Sequence, residues 1–190
     1  KLNKKNKFLR ESILLGCALP TASNAILQLS NINSKSKVLI MGMGGLGYSS
    51  LIVLNFLKCK NITCIDSNTK RLKYLKNFNN CKSLISNKKN LKKFLKDNYE
   101  KFDLVIDCTG SKYLIQKTIS LCKKFTGKFI IIGNTKINDK IMIRTWDIIN
   151  GKTLMGAWRD GGTQMKNFLK NEKILINQIK TIRKILPKKN

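Results

Sequence analysis

Lys37-Val-Leu-Ile-Met-Gly-Met-Gly-Gly-Leu-Gly47 reads as a strand that runs straight into a glycine-rich turn and the start of a helix. Val38 to Met41 is a short apolar run of the kind buried on both faces of a parallel sheet. Gly42, Gly44 and Gly47 give the spacing G-x-G-x-x-G. The first glycine permits a tight turn, the second lets backbone approach a pyrophosphate, and the third lets helix pack closely on strand. The helix expected over Leu46 to Leu57 aims its free N–H groups and positive dipole end at the phosphates. Asn61-Ile-Thr-Cys-Ile-Asp66 reads as the second strand and ends in an acid about 20 residues beyond Gly47, the spacing of a ribose-binding carboxylate. The glycine spacing alone is weak, but strand, glycines, helix, strand and acid in this order are specific.

Outward from this unit the chain alternates strands and helices. Glu11 to Leu29 reads as a helical stretch with a break, Pro20 sitting near the start of the second piece, and Asn31 to Ser36 as a polar loop. Asn68 or Thr69 can cap a helix through Leu72 and Leu75. Ser83 to Ser86 is a third strand, followed by a lysine-rich helix from about Asn90 to Tyr99. Phe102 to Gly110 is the fourth strand, Leu114 to Lys124 a helix and Gly127 to Gly133 the fifth strand. Lys140 to Trp146 reads as strand or connector, Lys152 to Trp158 as a sixth strand, Thr163 to Leu169 as a helix, and Ile174 to Ile185 as either. Such alternation predicts an α/β fold, a doubly wound parallel sheet of the Rossmann type with helices on both faces. Ligands then sit beyond the carboxyl ends of the strands. That edge carries Gly42 to Gly47, Asp66, Thr109, Gly110, Gly133, Asn134, Ala157 and Trp158.

The chain has 190 residues, enough for one domain with an ample core. It starts at Lys1 and contains no histidine, which suggests a fragment of a longer protein. No apolar run approaches a membrane span and no signal peptide is evident, so neither membrane nor export is expected. The formal charge of +28 raises nucleic acid as a partner. The lysines are spread over every polar face, however, and only five basic residues are arginine, so a solvated surface is the expectation and nucleic acid is not. The six cysteines form no C-x-x-C pair, and Cys64 and Cys108 fall in predicted strands; reduced thiols in a cytoplasmic protein fit this usage.

Leu15-Gly-Cys-Ala-Leu-Pro-Thr21, Gly42-Met-Gly-Gly-Leu-Gly47, Asp66-Ser-Asn68, Asp107-Cys-Thr-Gly110, Ile132-Gly-Asn134 and Gly151-Lys-Thr-Leu-Met-Gly-Ala-Trp158 occur in this order. Together they resemble the zinc-dependent medium-chain alcohol dehydrogenase family, over about Glu11 to Gly162. The resemblance implies the coenzyme-binding half of such an enzyme, with NAD and zinc as cofactors and an alcohol or aldehyde as substrate. It divides the chain into an entering linker and helix (1–30), an NAD-binding domain (31–170) and the start of a return to the catalytic domain (171–190).

Carried over residue by residue, the resemblance implies that Gly42, Gly44, Gly45, Leu46 and Gly47 cradle the pyrophosphate, with Leu46 also near the nicotinamide. Asp66 binds the adenosine ribose and Arg71 closes on it. Thr109 and Gly110 border the adenosine. Gly133, Asn134, Ala157 and Trp158 meet the carboxamide side of the nicotinamide. Cys17 matches the cysteine ligand of the catalytic zinc and Thr21 the threonine near the nicotinamide, the one catalytic candidate. Family members often carry glycine where Ala22 and Asn24 stand. The other zinc ligands, and the cysteine-rich loop of a second zinc, have no counterpart in this chain.

Three expectations follow from the same reading: NAD rather than NADP, because Asp66 repels a 2′-phosphate; no turnover by this segment alone, which has one zinc ligand and no histidine for a proton relay; and a homodimer formed through the edge of the last strand. A stand-alone nucleotide-binding module without catalysis is the alternative from another class. A methyltransferase-like glycine loop for a nucleoside cofactor is a third reading.

Overall fold

The computed structural model describes residues 17–158. Within them a six-stranded parallel sheet is built from β1 (Lys37–Met41), β2 (Asn61–Asp66), β3 (Cys81–Ile85), β4 (Leu104–Asp107), β5 (Lys128–Ile131) and β6 (Thr153–Gly156), in the order β3-β2-β1-β4-β5-β6. In the central register Val38 faces Ile62 on one side and Leu104 on the other. The order reverses between β1 and β4, so the crevice at their carboxyl ends is the expected ligand position in a doubly wound sheet. The predicted fold class is the one observed.

Alternate residues of each strand feed two separate cores. Val38, Ile40, Cys64, Leu104, Ile106 and Ile130 point to one face, under α1 (Ala18–Ser23) and α2 (Gly45–Phe56). Leu39, Met41, Ile65, Val105 and Phe129 point to the other, under α4 (Lys88–Asp97) and α5 (Lys112–Thr118). Each fully buried Leu, Ile or Phe contributes about 1.5–3 kcal/mol, which is why these strands read as unbroken apolar runs. The two short helices are α3 (Thr69–Lys73) and α6 (Thr145–Ile149). Asn68 caps α3 by accepting from Lys70 N, as the sequence suggests, while Asn87 and Ser111 cap α4 and α5.

Several details differ from the sequence reading. Pro20 lies within the first turn of α1 and breaks nothing, because its missing N–H is one that helix starts leave unpaired. The helix then continues as a π-wound segment, Asn24–Leu29, with Lys128 Nζ donating to its terminal Leu29 carbonyl at 2.7 Å. The predicted helix from Leu114 to Lys124 is α5 followed by a single 3₁₀ turn, Ile119–Leu121. Cys108 follows β4 rather than lying in it. Residues 140–144 form a connector, and Thr145–Ile149 is a helix. The start of the helical stretch at Glu11, the helix at Thr163 and the element at Ile174 lie outside the described residues.

Candidate functional site

β1 delivers the chain into the glycine turn, and two of its glycines are there because nothing larger fits. Gly42 has φ +89°, and an added Cβ would stand 2.8 Å from the Thr109 side chain. A Cβ on Gly47 would stand 2.0 Å from the Gly42 carbonyl oxygen, so α2 begins in contact with the turn itself. Gly44 and Gly45 are different: a Cβ on either meets nothing within 4 Å. Those two positions leave an open cradle at the amino end of a 12-residue helix that has no side-chain cap. The first-turn N–H groups have no partner within the helix and face that space.

Asp66 ends β2 beside this cradle and is almost fully buried. One oxygen accepts from Met43 N at 2.6 Å and the other from Asn68 N at 2.7 Å. Arg71 Nη1 lies 3.4 Å from the first oxygen, its side chain half exposed. Tyr48, on the first turns of α2, donates its hydroxyl to the Arg71 carbonyl. The acid is thus fastened to the glycine turn on one side and to α3 on the other, with an arginine poised at its open edge. The contributions of Met43 and Tyr48 are not legible in the sequence, because a backbone amide and a single helical tyrosine leave no distinguishing signal.

The loops after β4 and β5 are locked together. Asp107 accepts from Thr109 N at 3.2 Å, Thr109 Oγ1 at 2.6 Å and Gly110 N at 3.0 Å. Burial pushes the Asp107 carboxyl above the usual range, and the hydrogen bonds from Thr109 and Gly110 oppose that push. Gly110 has φ +65° and a Cβ there would fall 1.9 Å from the Asn134 carbonyl oxygen, while one on Gly133 would fall 2.3 Å from Gly110 N. Gly110 and Gly133 are therefore the mutual contact of two loops. The D-x-T spacing that starts an Asx turn was the available signal for Asp107.

Cys17, Thr21, Leu46, Asn134 and Trp158 come together around one cleft of about 410 Å³, joined by Ala18 and Ile132, which sequence analysis did not single out. Thr21 is buried, its backbone N–H bonded to the Cys17 carbonyl one turn earlier. Cys17 and Trp158 are exposed at the rim. Ala157 sits instead in the core, its N–H donating to Ile131 at the end of β5. Leu46, in the first turn of α2, lines this cleft, so the cleft lies beside the residue that follows the open Gly44–Gly45 cradle. A dinucleotide fits this geometry: room where phosphates approach backbone, a carboxylate at one end, a lined cleft at the other. A zinc ion does not fit the described residues alone, since no group of three or more Cys, His, Asp or Glu that could hold a metal occurs among them.

A family model described as zinc-binding dehydrogenase matches residues 45–172. The chain is 27% identical over 165 residues to a probable S-(hydroxymethyl)glutathione dehydrogenase 1 of Schizosaccharomyces pombe, covering 86% of this chain and 43% of that protein. It is 24% identical over 183 residues to an alcohol dehydrogenase class-3 of Caenorhabditis elegans, covering 90% of this chain and 48% of that protein. Among solved structures, an alcohol dehydrogenase zinc-binding domain protein from Burkholderia ambifaria superposes with a TM-score of 0.78 at 16% identity, over 94% of this chain and 48% of that one. The chain spans somewhat less than half the length of these relatives.

Proposed function

The chain belongs to the zinc-binding dehydrogenase family, and from that premise we propose that it is the NAD-binding half of an alcohol dehydrogenase-type oxidoreductase. The observation that carries this reading is the sorting of the glycines into two that are sterically compelled and two that are open. Gly44, Gly45 and the first-turn N–H groups of α2 take the pyrophosphate, and Asp66 with Arg71 takes the adenosine ribose. Thr109 and Gly110 border the adenosine side. Leu46, Thr21, Asn134 and Trp158 hold the nicotinamide in the cleft of about 410 Å³. NAD supplies a hydride acceptor, and this chain's part is to position it and keep water from it. Cys17, at the mouth of the same cleft, is one protein ligand for a catalytic zinc; a tetrahedral catalytic site needs three, so two come from elsewhere in the intact protein. The substrate is an alcohol or aldehyde.

NAD is favoured over NADP because the buried Asp66 carboxylate at the end of β2 would repel a 2′-phosphate on the ribose it is proposed to hold. Asp66→Ala is expected to weaken NAD binding about tenfold and to narrow or reverse the preference over NADP, read by calorimetric titration with both coenzymes. Tighter NADP binding by the unmodified chain sinks the assignment.

The dimer is part of the same proposal. β6 pairs with β5 on one side, and among the described residues no strand pairs with its other edge; Leu154 and Met155 in β6 are half-buried and Trp158, just past its end, is exposed. Two-fold pairing of β6 edges satisfies the outward backbone groups and covers those side chains. A Cβ on Gly156 meets nothing within 4 Å, so Gly156→Lys charges the edge without disturbing the fold. Sedimentation of the chain and this variant is expected to show dimer and monomer respectively; a monomer in both ends the idea.

A further inference from the structure

At the amino-terminal edge of the sheet, opposite the glycine turn, a cleft of about 470 Å³ is lined by Lys35, Lys37, Lys60, Lys82 and Lys123, and among the described residues Asp103 is its one carboxylate. Asp103 is already committed. One oxygen accepts from Lys123 Nζ at 2.6 Å and the other from the Lys37 backbone N–H at 2.7 Å. The Lys37 ammonium lies 5.0 Å over the Phe102 ring. Burial lowers its pKa first, and the nearby charges of Lys101, Lys123 and Lys82 lower it further, against Asp103, which raises it. Like charges crowded around a concave, partly desolvated surface focus a positive field that a bound anion would relieve. Asn61, Asn79, Asn80 and Thr63 add neutral polar groups to the same walls.

We propose that this cleft binds a compact polyphosphate of about three phosphate groups, either free or as the tail of a nucleoside triphosphate. Four lysines remain after Asp103 offsets one of five, and a triphosphate carries roughly four negative charges at neutral pH. Lysine suits the task as a point charge on a flexible stem, which needs no fixed bidentate geometry. No aromatic ring lines the cleft among the described residues, so the base of a nucleotide makes no stacking contact and the phosphates do the binding. The site is remote from the coenzyme crevice, and the proposal stands whether or not that crevice takes NAD.

The test is an NMR titration of the ¹⁵N-labelled 190-residue chain with tripolyphosphate and with ATP, each with and without saturating NAD. Expected are shifts at the amides of Asn61, Thr63 and Lys82 with similar affinity for both ligands, unaffected by NAD. Lys60→Gln/Lys82→Gln removes two exposed ammonium groups from the cleft and is expected to weaken binding about tenfold. Lys93→Gln/Lys96→Gln removes the same charge from the exposed face of α4 and is expected to change affinity less than twofold. Equal weakening by both pairs means diffuse attraction to a +28 chain and overturns the proposal. So do shifts confined to Gly42–Gly47 and abolished by NAD, binding of ATP without tripolyphosphate, or displacement of tripolyphosphate by a lower concentration of a twelve-nucleotide RNA.

Discussion

Gly44→Asp is expected to cut NAD affinity at least 100-fold while leaving the melting temperature of the chain unchanged or slightly raised. Gly47→Ala, three residues away, is expected to lower it by roughly 10 °C. The first substitution places a side chain in open space, since a Cβ there meets nothing within 4 Å. Gly44 is also the N-cap of α2, a position that aspartate fills well. Its charge would stand where the pyrophosphate approaches and displace two or more charge-assisted hydrogen bonds of about 1.5–3 kcal/mol each, which sets the 100-fold figure. The second substitution drives a methyl group to 2.0 Å from the Gly42 carbonyl oxygen. Backbone cannot yield there without moving α2 off the turn, at a cost of about 3 kcal/mol, equivalent to roughly 10 °C in a domain of this size. Calorimetric titration and thermal melts of both variants read the two effects separately. A Gly44→Asp chain that binds NAD normally would remove the phosphates from the cradle and the proposed function with them.

Asp147→Ala is expected to cost about 3 kcal/mol, with no change in coenzyme affinity. Lys152 has a fully buried side chain; its Nζ donates to Asp147 at 2.7 Å and lies 3.3 Å from Glu100. Arg144 holds the other Asp147 oxygen at 2.9 Å from its Nε. Removing the aspartate leaves a buried ammonium with one acid in place of two; Glu100 remains, which keeps the loss at the low end of the range for broken buried pairs. Replacing both partners, in Asp147→Ala/Lys152→Met, is expected to recover most of it, because the desolvated charge goes too. Chemical denaturation of the three chains is the measurement, and a single variant as stable as the parent contradicts it.

The same group fixes a pH dependence. Burial raises the Asp147 carboxyl, but the hydrogen bonds and charges of Lys152 and Arg144 outweigh burial and hold it below the usual range. A depressed folded-state pKa contributes stability that is present above the unfolded value of about 3.9 and is lost as pH falls through the folded one. Asp107 runs the other way. Its carboxyl is raised by burial, so its contribution is complete below the unfolded value and declines as pH rises through the raised one. Acid unfolding of the parent chain should therefore steepen in Asp107→Asn, which deletes the opposing term and leaves Asp147 in charge.

The central βαβ unit was legible because each of its signals is local: an apolar run, glycines at fixed spacing, an acid at the strand end. β2 spans the predicted Asn61–Asp66 and α2 departs by one residue at each end. α6 was illegible for a physical reason. Its pattern is inverted, with Trp146, Ile148 and Ile149 exposed and Asp147 buried, so apolar periodicity points away from the sheet. Lys152 likewise reads as one more surface lysine in a lysine-rich chain, yet it is 3% exposed. Its partners Glu100 and Asp147 come from separate segments, and only the fold brings them to it. The union of Cys17 and Thr21 with Leu46, Asn134 and Trp158 in one cleft was available from the family resemblance. Composition and periodicity do not carry it.

Asp66 is the proposed ribose carboxylate, and the oxygen nearest Arg71 also holds Met43 N at 2.6 Å. With the proposed ribose role, that bond would tie the choice of coenzyme to the rigidity of the glycine turn in one atom. A lineage drifting from NAD toward NADP cannot simply discard the acid, because the first step would loosen the turn on which any dinucleotide depends. A viable route runs through a substitution that secures Met43 by other means before Asp66 is lost. Variants recruited to accept the 2′-phosphate should therefore carry their earliest changes at or around Met43, inside the loop, rather than at the ribose.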